Sequence, residues 1–62
     1  MSNPGLHYAL IEEDIENHIV ILGIFNSSEQ AEDHSETNPM DDPRSYRYIE
    51  VYRGVDHVAT YQ

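Results

Sequence analysis

The chain predicts a small α+β fold: an antiparallel sheet built from a β-hairpin and a third strand, with one helix packed on one sheet face. Three observations predict it. Two strand-like runs, residues 7–13 and the β-branched-rich 18–25, flank the mostly polar stretch Asp14-Ile15-Glu16-Asn17. Ser27 followed by Gln30 makes the S-x-x-Q form of the capping box that opens a helix. Residues 46–53 then alternate, with Tyr46, Tyr48 and Tyr52 on one side and Ile49 and Val51 on the other.

Taken in order, residues 1–6 read as a frayed lead-in broken by Pro4-Gly5. The two runs after it form a hairpin, and Asn17 suits a left-handed backbone in its loop. If Glu12 opposes His18, then Leu10 opposes Val20 and Tyr8 opposes Leu22. One face then carries Tyr8, Leu10, Val20, Leu22 and Ile24, and the other Ala9, Ile11, Ile19, Ile21, Gly23 and Phe25. The helix should start at Ser28 and run to about Glu36, because Pro39 disfavours helical geometry at Asn38. Residues 40–45 form a loop, Gly54 ends the third strand, and residues 55–61 add a short fourth strand or a tail. The helix is expected over the Ala9–Gly23 face, where small side chains permit close approach. Ile11, Ile19, Ile21, Ile49 and Val51 would form the core there, with Phe25 under the helix start.

The segment Gly23-Ile24-Phe25-Asn26-Ser27-Ser28-Glu29-Gln30-Ala31-Glu32 resembles a strand-GxFxSxxxAE-helix pattern of small uncharacterised bacterial and phage ββαβ proteins. With the strand Tyr48-Ile49-Glu50-Val51 the resemblance spans residues 7–53. It implies a β-β-α-β fold and a phage or mobile-element setting. It carries over no catalytic residue, and this helix departs from the pattern in lacking apolar residues after Ala31.

With 62 residues the chain has room for a single domain. Such a chain buries only about 60% of its unfolded surface, so its core is thin. There is no cysteine, which excludes disulfides, thiolate metal sites and cysteine nucleophiles. No secretory signal is visible, and the apolar run 19–25 is far short of the ~20 residues that span a bilayer. The expected location is the cytoplasm, that of the host if the protein is phage-encoded. Twelve Asp and Glu against three Arg and no Lys give a formal charge of -9. That charge repels nucleic acid and anionic membrane and steers the chain toward a basic protein surface.

Candidate chemistry is sparse. His7, His18, His34 and His57 form no i,i+4 metal grip, so no metal and no cofactor are expected. Glu12, Glu13, Asp14 and Glu16 cluster at a solvated hairpin tip, without the shielding that acid–base catalysis needs, and an enzyme is not expected. Arg44, Arg47 and Arg53 should pair with nearby acids. Glu29, Glu32, Asp33 and Glu36, at i, i+3, i+4 and i+7, fall within about a third of the helix circumference. As bland surface they solvate an acidic protein. As a site, with Asp41 and Asp42, they offer a phosphate-like array to a basic groove. Salt adaptation also accounts for acid excess without Lys, although six isoleucines weigh mildly against it.

The function expected is therefore that of a small acidic interaction protein, binding and inhibiting a basic nucleic-acid-handling partner. The alternative is a structural or regulatory homo-oligomer with no basic target. A second expectation is a homodimer through the sheet face the helix leaves bare. On the register above, that face carries Tyr8, Leu10, Val20, Leu22, Ile24, Tyr48 and Tyr52.

Overall fold

The computed structural model describes residues 5–62, so the first four residues of the expected lead-in lie outside the described residues. Leu6, the last of that lead-in, already belongs to the first strand. The elements are β1 (Leu6–Glu13), β2 (Ile19–Phe25), α1 (Ser28–Thr37), β3 (Tyr46–Arg53) and β4 (Asp56–Tyr61). They form one antiparallel sheet in the order β2-β1-β3-β4, with α1 on one face. Residues 55–61 thus supply a true fourth strand. It pairs with β3 at the sheet edge and does not fold over the bare face.

The first hairpin turns through Ile15, Glu16 and Asn17. The Asn17 amide donates to the Asp14 carbonyl at 3.0 Å, and Asn17 takes a left-handed φ of 65°. This is the three-residue loop in which a left-handed residue follows a type I turn. The Asp14 carboxylate braces it, with Oδ1 accepting from the Glu16 and His18 amides, both at 2.9 Å. Gly54, at φ 63°, opens the two-residue connection between β3 and β4.

The hairpin register differs from the sequence expectation. Glu12 opposes Val20, Leu10 opposes Gly23 and Tyr8 opposes Phe25, and Leu22 is the extra residue of a β-bulge. The bulge reverses the alternation beyond it, so Gly23 and Phe25 join the side of Leu10 and Ile24 crosses to the other. The Phe25 ring lies over Gly23: a Cβ there would sit 2.8 Å from the ring tip.

The choice of covered face is also corrected. β3 sets Ile49 opposite Leu10 and Val51 opposite Tyr8. Leu10, Ile49, Val51 and the helix's Ala31 are the core, and Leu6, Tyr8, Leu22, Phe25 and Ala59 pack against it. Each of the large core side chains contributes about 1.5–3 kcal/mol by burial. Ala31 is fully buried, so a small residue on the helix itself permits the close approach.

Local chemistry fixes α1. Ser27 Oγ accepts from the Gln30 amide at 3.3 Å, and Gln30 Oε1 accepts from the Asn26 amide at 3.1 Å. The His34 ring packs on Phe25, with centroids 5.3 Å apart. At the other end Arg47 ties three elements together. Its Nε donates to Glu12 Oε1 at 2.9 Å, and its Nη1 donates to the Ser35 carbonyl at 2.9 Å and Oγ at 3.1 Å. A cation thus meets one of the carbonyls that the helix end leaves unpaired.

Candidate interaction surfaces

The first surface is the outer side of α1. Glu29, Glu32, Asp33 and Glu36 are all exposed, and none makes an ion pair among the described residues. Ala31, Phe25 and Arg47 set the inward side, so the rotation of the helix presents the four carboxylates to solvent. Asp41 is exposed nearby in sequence. Asp42 is committed within its own loop: both carboxylate oxygens accept from the Arg44 guanidinium at 3.1 Å, and Oδ1 accepts from the Arg44 amide at 2.9 Å. The Arg44 side chain, then its amide, hold the Asp42 carboxyl below its ordinary range. The Asp42 charge is thus balanced locally by Arg44, whereas the helix carboxylates have no such partner among the described residues. Arg47 pairs with Glu12, and Arg53 makes no ion pair among the described residues.

The second surface is the sheet face opposite the helix. Strand pairing arranges it in four rows. The first row is His7, Tyr52 and His57. The second is Ile24, Ala9, Glu50 and Thr60. The third is Ile21, Ile11 and Tyr48, and the fourth Ile19, Glu13 and Tyr46. Ala9 and Ile11 are buried within this face, whereas Ile19, Ile21 and Ile24 are 60%, 60% and 65% exposed. Between the rows runs a shallow, open trough of about 420 Å³, floored by Ala9 and Ile11 and walled by Ile21, Ile24, Glu50 and Tyr52.

Polar groups on this face lie mostly on β3 and β4, and several are partnered. His57 Nε2 lies 2.8 Å from Thr60 Oγ1 and 3.6 Å from Glu50 Oε2. Tyr48 donates to Glu13 Oε1 at 3.4 Å. Desolvation, reinforced by the Glu13 and Glu50 carboxylates, raises the Tyr48 phenol, and desolvation with Glu50 raises that of Tyr52. Both remain neutral hydrogen-bonding groups at pH 7.

The residues expected on the bare face divide. Ile24, Tyr48 and Tyr52 are there. Tyr8, Leu10 and Leu22 are not: they pack on the helix side, Leu10 at 2% exposure. Val20, opposite Glu12, also projects toward the helix side, at the uncovered sheet edge. Alternation along β1 brings His7, Ile11 and Glu13 to the bare face instead. A signal for this lay in the sequence. Glu12 belongs by alternation with Leu10, and Arg47 with Ile49; pairing these opposite charges places Leu10 beside Ile49.

The histidines do not converge. His18 pairs with Asp14 at 3.1 Å, His34 stacks on Phe25, and His57 sits beside Tyr52 and Glu50. Among the described residues no three His, Asp or Glu side chains gather as a metal site would need. Among the described residues no helix is long and apolar enough to cross a membrane. Against protein-family models, curated proteins and solved structures, the chain finds no match.

Proposed function

We propose that this protein works by protein–protein contact and not by catalysis, presenting the outer face of α1 to a basic partner surface. One observation carries this reading: Glu29, Glu32, Asp33 and Glu36 share the solvent side of one helix with no cation paired to them among the described residues. Their axial span, seven residues at 1.5 Å each, is about 10 Å, or one charge per ~3.5 Å. A single DNA strand carries one charge per ~3.4 Å of axis. That match in charge density supports the sharper form, an inhibitor that occupies the phosphate-binding groove of a nucleic-acid-handling protein. A phage origin and a cytoplasmic site of action would suit that role.

The test is capture of partners from host lysate at low and high salt, followed by the Glu32→Lys/Asp33→Lys variant. A basic partner released by salt, and lost by at least tenfold on charge reversal, supports the proposal. Unchanged affinity for an identified partner refutes it. The second reading, a homo-oligomer with no basic target, is favoured by the isoleucines that stand exposed on the opposite face.

A further inference from the structure

We propose that a second copy of this chain covers the bare sheet face, stacked across a two-fold axis that lies in the interface and runs across the strands. The strands of the two sheets then run in opposite directions. This goes beyond the basic-partner proposal and does not depend on it.

The face, rather than an edge, is the surface that invites a partner. Both edge strands are bulged, β2 at Leu22 and β4 where it passes Val51 and Tyr52. Bulges twist an edge away from strand addition. The face instead exposes Ile19, Ile21 and Ile24 on β2, with Tyr46, Tyr48 and Tyr52 on β3 across Ala9 and Ile11 of β1. Aromatic side chains around an apolar centre are typical of interface cores. The molecule measures 34 × 23 × 15 Å. The outline of its broad side thus bounds the footprint at the ~800 Å² per partner that a standard interface buries.

The pattern of the rows favours a second copy over an unrelated protein, because the face is complementary to itself. A two-fold axis across the strands, between the second and third rows, sets the first row over the partner's fourth. His7 then meets the partner's Glu13, and Ile24 meets the partner's Ile21. Glu50 meets the partner's Tyr48, whose hydroxyl would turn to it from its own Glu13, 3.4 Å away, as that Glu13 takes the opposing His7. Each pairing occurs twice. The other in-plane axis, along the strands, lays Ile24 over the polar Thr60 of β4, and leaves His7 facing Tyr52 and Glu13 facing Tyr46. The carboxylates on the face itself, Glu13 and Glu50, come to lie opposite the partner's His7 and the partner's Tyr48 and not opposite each other. The helix stripes lie on the outer sides of both copies, each across a molecule 15 Å thick. That exceeds the ~8 Å Debye length at physiological salt.

Sedimentation equilibrium on the full chain tests this. The expected result is a dimer at micromolar concentration, and a monomer persisting at high micromolar concentration overturns the proposal. Ile24→Glu and the milder Ile24→Thr should each weaken the dimer, by at least tenfold for Glu, with the far-ultraviolet circular dichroism retained. Association undiminished in both variants overturns the assignment to this face. His7→Glu should weaken it about tenfold, and His7→Glu/Glu13→His should return it to within about threefold. A double variant as weak as the single one overturns the antiparallel two-fold. Glu32→Lys/Asp33→Lys should leave self-association unchanged, so failure of the basic-partner proposal is read separately.

Discussion

At the scale of single residues, Leu10 and Asp14 do different work. Leu10 is 2% exposed, between Ile49 and Ala31 in the core. Leu10→Ala should cost about 2–5 kcal/mol. A chain of this length has about 3–9 kcal/mol in all, so urea unfolding should find the variant largely unfolded or close to it. Asp14 works through its hydrogen bonds. The His18 amide, above all, holds its carboxyl below the ordinary value of 3.8. A depressed folded-state value means that the stabilisation is complete above the unfolded-state value and is lost as pH falls through the folded one. The stability difference between wild type and Asp14→Ala should therefore be constant from neutral pH down to about 5 and close below about 4. Thermal melts across that range measure it.

At the scale of elements, α1 is held by its ends more than by its own sequence. It buries a single residue, Ala31, so packing gives it little. The Ser27–Gln30 box closes its start, and Arg47 reaches its last turns. Ser27→Ala should cost about 1 kcal/mol. Arg47→Met should cost about 1–3 kcal/mol, because it strips the partner from half-buried Glu12 and from the Ser35 carbonyl. The acidic stripe acts the other way. Glu32 and Glu36 form a like-charge i,i+4 pair, with Glu36 near the negative helix end. Glu36→Lys reverses both effects and should raise stability by about 0.5–1 kcal/mol in denaturant titration. No gain would mean that α1 is stabilised wholly by its tertiary contacts.

For the whole molecule, a charge of -9 on 62 residues sets the response to salt. Self-repulsion weakens the compact state, and ions screen it within a Debye length. The melting temperature should rise from low to physiological salt, by several degrees for a domain this small. The ion pairs seen here are few: Arg47–Glu12 is the most sheltered, while Arg44–Asp42 is largely in solvent. Their loss on screening should not reverse the trend. A protein most stable in low salt would show that these pairs outweigh the net repulsion.

The sequence by itself determined the order β-β-α-β, the helix start, the left-handed Asn17 and the spacing that sets Glu29, Glu32, Asp33 and Glu36 on one side of the helix. Each rests on chemistry that acts within a few residues: an alternating run, a capping side chain, a loop residue tolerant of positive φ, or acids repeating at helical spacing. Only the tertiary structure decided which sheet face is covered. Strand alternation has a period of two, so a bulge at one residue exchanges the faces of Gly23, Ile24 and Phe25 without any change in local preference. Pairing between β1 and β3 spans the whole helix and loop in sequence, and the Glu12–Arg47 contact is a product of that pairing. The tertiary structure thereby moved Tyr8 and Leu10 into the core and brought His7, Ile11 and Glu13 to the bare face. β-branched side chains suit either face of a strand, so their order along the chain does not reveal which of them meets the helix.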